Sequence, residues 1–374
     1  MSSIRAALFR RVHEPLTIEQ IQIDSPLSHE VLVRIVASGV CHSDAHFLDG
    51  HLSAAAYGMG PGTAGLVLGH EAAGVVEAVG DQVSYVQPGD HVVSCLSIFC
   101  GECEQCLSGS PARCQQRIGA RPPDAPPRLT RDATPVVPVV NLGTFAEKML
   151  VHEHALVKID SEMPLTCASL LGCGVTTGLG AALNTAQVRP GSTVGVFGCG
   201  GVGLSIIQGA VLAGARRIIA VDQVAGKLDM ARHFGATDAI DASVADAVAA
   251  IQELTRGRGV DYAFEAVGKP ELVPQVVGSL AIGGTGTIVG VMPVEASYQF
   301  AARLLAGERK LQSCGMGSNR FRVDIPRYIE LYQRGRLNLD DMVTRQLTLE
   351  EINEAFRAMQ AGEVARSVLV MQPD

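Results

Sequence analysis

Thr193-Val194-Gly195-Val196-Phe197-Gly198-Cys199-Gly200-Gly201-Val202-Gly203 decides the fold of this chain. An apolar run of strand length leads into Gly198–Gly203, which fits G-x-G-x-x-G. Alone, that pattern is also satisfied by a glycine-rich turn with no ligand. Its surroundings narrow the reading: the run Leu204–Leu212 is helical in pattern, and a second strand, Arg217–Val221, ends at Asp222. An acid about twenty residues beyond such a turn is placed to bind the adenosine ribose hydroxyls of a dinucleotide. The glycines allow the backbone to approach a pyrophosphate, and the helix N-terminus offers N–H groups and a positive dipole. Gly198, Gly200, Gly201, Val202 and Gly203 are therefore the candidate phosphate-binding residues. A carboxylate at Asp222 would repel the extra phosphate of NADP, so the turn predicts NAD, with Lys227 as a second ribose contact.

The same texture extends outward. Val260–Glu265 and Gly286–Val291 are further runs of strand length, and Lys227–Phe234 is a helical pattern closed by Gly235. Strands alternating with helices indicate a doubly wound parallel sheet of the α/β class. Thr193–Ala215 is almost free of polar residues, but its glycines and Gln208 suit a buried strand, turn and helix rather than a membrane span. Upstream, Val31–Val36, Ala73–Val79 and, after the turn Pro88-Gly89-Asp90, His91–Val93 read as strands of a mostly β half. Asp324–Met371 holds two amphipathic helical runs and a closing strand, Ser367–Val370. Two long loops stand out: Gly50–Leu66, with Tyr57 and Met59, and the Pro- and Arg-rich Gly119–Val140.

A chain of 374 residues is too long for one simple core, so two domains are expected. Its net charge of −8 argues against nucleic acid or an anionic membrane as partner. The stretch Met1–Arg11 has no apolar run of signal-peptide length, so a cytoplasmic protein is expected. Its ten cysteines then point to metal or free thiols before disulfides.

Cys100, Cys103, Cys106 and Cys114 have spacings suited to a closed four-thiolate zinc site, which leaves no position for substrate and is therefore structural. An iron–sulfur cluster or disulfides are the competing readings. Cys95, Cys167, Cys199 and Cys314 read as buried thiols. A denser cluster is Cys41-His42-Ser43-Asp44-Ala45-His46, which His70-Glu71 and Cys173 complete as the ligand types of one catalytic zinc.

These motifs, with the tail Arg366-Ser367-Val368-Leu369, resemble those of the zinc-dependent medium-chain alcohol dehydrogenases over essentially the full length. The resemblance implies a β-rich GroES-like catalytic domain, residues 1–174 and 316–374, with a structural-zinc lobe at 95–118. It implies a Rossmann NAD-binding domain at 175–315. Two zinc ions per chain follow. Cys41, His70 and Cys173 would bind the catalytic one and leave a position for alcohol, with Glu71 behind the metal and Asp44 orienting the His70 ring. Ser43 would accept the alcohol proton, the cofactor ribose hydroxyl would pass it on, and His46 would deliver it to solvent. Read locally, Ser43 is a turn hydroxyl and His46 a surface histidine. His13, His29, His152, His154 and His233 read as surface or turn positions.

Arg366 matches the family's pyrophosphate arginine, and Thr177, Val267 and Val291 match positions lining the nicotinamide. Leu96 takes a pocket-lining place that is aromatic in some members. With the long Gly50–Leu66 loop, it favours a larger primary alcohol, aliphatic or aromatic, as the small-molecule substrate. The glutathione-dependent formaldehyde dehydrogenase branch shares every motif, but its arginine after the last lobe cysteine is displaced here to Arg117, followed by Ile118. A non-catalytic NAD-binding scaffold is the alternative of another class. A homo-oligomer is expected, dimer before tetramer.

His42 stands where some members place an arginine on the pyrophosphate, and a neutral imidazole holds that group less well. His42→Arg is expected to lower the NADH dissociation constant, read by quenching or enhancement of nicotinamide fluorescence.

Overall fold

Apolar strands closed by glycine turns build one of two compact units, comprising Gly174–Asn319 and Arg336–Asn338. The computed structural model describes residues 1–116, 118–122 and 124–371. Among these, six parallel strands form one sheet in the order Asp238–Asp241, Arg217–Asp222, Thr193–Phe197, Val260–Glu265, Leu280–Ile288, Lys310–Ser313. The chain runs outward from Thr193–Phe197 in one direction and then, from Val260–Glu265, in the other. The crevice at such a reversal of strand order is where a doubly wound sheet takes its ligand. Helix Gly201–Leu212 is buried along most of its length, which its small residues permit. A Cβ on Gly209 would lie 2.9 Å from that of Ala182. The polar-poor stretch is thus a strand, turn and core helix. No single helix among the described residues is long and apolar enough to cross a membrane.

The other unit comprises Met1–Cys173, Arg320–Gly335 and Leu339–Asp374. Among its described residues, Ser2–Phe9, Thr17–Ile23, Leu129–Arg131, Thr134–Pro138 and Leu66–Val67 close a barrel. Beside it a seven-stranded sheet is built on Glu30–Gly39, which pairs with Glu71–Val79, Lys148–His152 and Arg366–Val370. The tail therefore returns to this unit. Its helix Ile352–Gln360 packs Phe356 edge-on against Phe145 of the core, with ring centroids 6.0 Å apart. A capping box between Thr348 and Glu351 sets the start of that helical segment.

Several expectations need correcting. Gly119–Val140 is not a bare loop: it contains the barrel strands Leu129–Arg131 and Thr134–Pro138, too short and too proline-bound to show a strand period. The strand expected at Gly286–Val291 runs instead over Leu280–Ile288, entering through Gly283 and Gly284, so Val291 lies beyond it. The tail also holds a strand, Val343–Leu347, whose half-buried Val-Thr-Arg-Gln-Leu pattern hides it. His152 and His154 are half-buried rather than surface groups, and His154 stacks on Phe99.

The loop after Gly119 is tied down by charge. Arg121 donates to Glu30 at 2.6 Å and Asp24 at 2.8 Å, and Arg128 donates to Glu30 at 2.7 Å. Burial opposes ionisation of Glu30, but the two guanidiniums hold its carboxyl down to about 2. With an unfolded value of 4.5, this stabilisation is complete above pH 4.5 and is lost as pH falls toward 2. Glu30→Gln is expected to cost about 3 kcal/mol at neutral pH. The difference from the unaltered chain should shrink as pH falls through that window, as read by urea unfolding.

Candidate active site and coenzyme turn

The metal-ligand cluster grows from three close backbone approaches. Strand Glu30–Gly39 delivers Cys41, and Gly39 pairs in register with Glu71. A Cβ on Gly39 would meet Glu71 Oε2 at 2.2 Å and the Arg366 guanidinium at 3.1 Å, so the residue here must lack a side chain. Gly69, at φ 88°, turns the chain into His70. The turn Leu170–Gly172 carries Cys173 in, and a Cβ on Gly172 would meet the Ser94 carbonyl at 2.7 Å. Cys41, His70, Glu71 and Cys173 are all buried, and one potential ligand atom from each lies within 4.8 Å of the others.

His70 is set for one outward ligand atom. Its Nδ1 lies 3.3 Å from Asp44 Oδ1, which also accepts the Gly69 N–H at 2.9 Å. Its Nε2 is buried and has no hydrogen-bond partner. An imidazole whose Nδ1 is held by a carboxylate and whose Nε2 is orphaned in a group of thiols fits a zinc ligand. A hydrogen bond from Cys173 and the nearby His70 hold the Cys41 thiol well below its usual range. Burial opposes charge on His70, but Asp44 outweighs it and raises the imidazole's pKa. Burial pushes Glu71 up to about 7 against the pull of Arg366, whose guanidinium pairs with it directly. Ser43 Oγ is 3.5 Å from Cys41 Sγ. His46 is half-buried in the last turn of helix His42–Leu48, and His42 is exposed at its start.

In the lobe, Cys100, Cys103, Cys106 and Cys114 also converge. Sulfur–sulfur distances are 3.5 Å, 3.8 Å and 3.9 Å for Cys103–Cys106, Cys100–Cys106 and Cys103–Cys114. A tetrahedron with Zn–S bonds of about 2.3 Å has edges of roughly 3.8 Å. A disulfide needs about 2.05 Å, so these sulfurs suit one zinc. Backbone N–H groups of Glu102 and Cys103 donate to Cys100 Sγ, and that of Cys100 to Cys114 Sγ. Burial pushes Cys95 and Cys167 up to about 11 and Cys199 to about 12, as inert thiols require. Cys314 is only half-buried.

In the other unit the three motif glycines are separable by what a side chain would meet. Gly198 needs φ 96°, and a Cβ on Gly203 would lie 1.8 Å from the Gly198 carbonyl oxygen. A Cβ on Gly200 would enter open space at the N-cap of helix Gly201–Leu212. The backbone N–H groups there are open to an approaching pyrophosphate. Asp222 accepts the Cys199 N–H at 2.8 Å with one oxygen and the Gln223 and Val224 N–H groups with the other. Lys227 is half-buried on the next helix. Val267 and Val291 are exposed beyond the carboxyl ends of their strands, while Thr177 is buried, donating to Met316 Sδ at 3.5 Å.

Sequence models for the alcohol dehydrogenase GroES-like domain and the zinc-binding dehydrogenase domain match residues 27–161 and 201–334. The chain belongs to the zinc-dependent medium-chain alcohol dehydrogenase family. It is 38% identical over 374 residues to the probable S-(hydroxymethyl)glutathione dehydrogenase 1 of Schizosaccharomyces pombe, covering 98% of this chain and 97% of that protein. It is 37% identical over 377 residues to the NDMA-dependent alcohol dehydrogenase of Amycolatopsis methanolica, covering 99% of each. Among solved structures, benzyl alcohol dehydrogenase of Acinetobacter calcoaceticus superposes with a TM-score of 0.91 at 33% identity over 100% of both chains. As a member of this alcohol dehydrogenase family the chain is an oxidoreductase, and the family uses NAD and zinc.

Two residues escaped sequence reasoning. Buried Glu265 accepts the Val267, Gly268 and Lys269 N–H groups through one oxygen and so shapes the loop carrying Val267. A carboxylate ending an apolar strand of a parallel sheet was the available signal. His51 touches His46, five residues after it across a glycine turn. Arg117 lies outside the described residues.

Metal analysis is expected to give two zinc ions per chain. Cys103→Ser should lose one and lower the unfolding temperature, while His70→Ala should lose the other, both read by mass spectrometry of metal content.

Proposed function

We propose that this alcohol dehydrogenase oxidises primary alcohols bearing a large apolar or aromatic group, or reduces the matching aldehydes. The observation that carries the chemistry is the buried set Cys41, His70 and Cys173, with an orphaned His70 Nε2 and with Ser43 against Cys41. Zinc, when bound, supplies Lewis acidity toward an alcohol oxygen, and NAD supplies the hydride acceptor. The chain's own residues do the rest. Asp44 fixes the His70 tautomer, Ser43 takes up the alcohol proton, and His46 carries it outward. Arg366 pairs with Glu71, and Gly200 with the N-terminus of helix Gly201–Leu212 receives the pyrophosphate. Asp222 and Lys227 take the ribose, and Val267, Val291 and Thr177 flank the nicotinamide.

The substrate class rests on apolar surface. Leu96, Met59, Leu52 and Ile98 are partly buried side chains packed on the core of the unit that holds the ligand cluster. Tyr57 packs edge-on against Phe47, with centroids 4.9 Å apart, which anchors the 50–66 segment. The likeness to a benzyl alcohol dehydrogenase supports the same choice. The fission-yeast relative favours a second reading, glutathione-dependent formaldehyde oxidation.

A homo-oligomer, dimer before tetramer, is the expected assembly, and Val294, Tyr298 and Leu305 are exposed apolar side chains available to it. Ten cysteines without disulfides support a cytoplasmic setting.

Benzyl alcohol and long primary alcohols are expected to give higher kcat/KM with NAD than ethanol. Formaldehyde turnover that requires added glutathione would instead establish the second reading. Cys41→Ser should abolish turnover and leave NAD binding intact; retained turnover defeats the zinc mechanism.

A further inference from the structure

The proton path proposed above ends at His46, and a second imidazole lies against that ring. Helix His42–Leu48 carries His46 in its final turn, and the chain then reverses. The Asp49 N–H donates to the Ala45 carbonyl at 2.9 Å, and the Leu52 N–H donates to the His46 carbonyl at 3.0 Å. Gly50 takes φ 75° between them, a conformation that costs glycine little. This reversal folds His51 back onto the ring it follows. His46 Nδ1 and His51 Nδ1 are 3.2 Å apart, and the ring centroids are 5.4 Å apart at a tilt of 53°. Two facing ring nitrogens form a hydrogen bond only if one carries hydrogen and the other does not. The contact therefore holds a single proton. His46 is half-buried and His51 is exposed, so the pair spans the step from protein to solvent.

We propose that His51 is the solvent-side station of the proton path, accepting from His46 Nδ1 the proton that alcohol oxidation releases and passing it to water. The inference rests on the alcohol dehydrogenase reading for the source of that proton. Oxidation divides an alcohol's two hydrogens into a hydride, which leaves on the nicotinamide, and a proton, which the path removes. Imidazole is bifunctional: a proton gained at Nε2 is balanced by one released at Nδ1, the atom that faces His51. The N–H bond at His46 Nδ1 breaks, one forms at His51 Nδ1, and the Nε2–H of exposed His51 goes to water. No electrons move in this step.

The charges around His46 favour onward transfer. Burial and then the neighbouring His51 disfavour its charged form, whereas Cys41 and Asp49 favour it, and the balance lies below an ordinary histidine. From the C-terminal helix, Gln360 reaches Asp49 at 3.2 Å and adds no charge. A proton on His46 is thus weakly held, and His51 is the base in contact with it.

The test is His51→Gln in the zinc-loaded enzyme, read in two ways. The His46 titration midpoint, followed by NMR without substrate, should rise, because the neighbouring positive charge is gone. On the acid side of the pH profile, kcat/KM for alcohol oxidation should fall roughly threefold to tenfold, less than the ~10²-fold or more of a directly placed base. Added imidazole should restore the rate, and NADH affinity should not change. In a His46→Gln background, His51→Gln should cost nothing further. An unmoved pH profile overturns the inference, even if the midpoint moves. So does a loss that imidazole does not restore and that adds to the His46→Gln loss. Failure of the underlying reading looks different: the unaltered enzyme then oxidises no alcohol at all.

Discussion

The pairing of Arg366 with Glu71 is the interaction on which the ligand-bearing unit depends. Two thiols, an imidazole and a carboxylate are buried together there, and an uncompensated charge in such a place is costly. The guanidinium arrives from the closing strand, 295 residues away in sequence, through pairing of Arg366–Val370 with Glu30–Gly39. Gly39 must be bare for the two groups to meet. The strand order of this sheet is thus tied to the electrostatics of the site it carries.

Asp44 serves the same burial differently. Its Oδ1 receives both the Gly69 amide and the His70 ring, so one short helix fixes a backbone turn and an imidazole tautomer together. The opposite end of that helix faces solvent through His46 and His51. A seven-residue helix therefore carries at its start the carboxylate that holds His70 and at its end the imidazole that meets His51. The coenzyme turn shows a similar division among its glycines. One permits a left-handed turn, one leaves room for a phosphate, and one allows a helix to press on the strand before it. Asp222 holds that turn through backbone N–H groups while also standing where a ribose would meet it.

The residue types and spacings in the sequence by themselves determined the chemistry-bearing parts. G-x-G-x-x-G between strand and helix, four closely spaced lobe cysteines, and Cys41 with His70 and Cys173 were readable as candidate phosphate and metal sites because such binding demands particular side chains, or their absence, at short range. Strands with strong apolar runs were legible for the same local reason. Tertiary structure alone decided what depended on distant partners. The barrel strands inside Gly119–Val140 exist because Thr17–Ile23 pairs with Leu129–Arg131 and Leu66–Val67 pairs with Thr134–Pro138, not because their own pattern insists on it. Leu280–Ile288 tolerates three interior glycines because neighbours on both sides hold its Thr285–Ile288 end. The partners of Arg366 and Glu30, and the contact of His51 with His46, follow from chain reversals and long-range pairing that set which charges meet. Local sequence specifies which groups are available, whereas burial and register determine which of them must compensate one another.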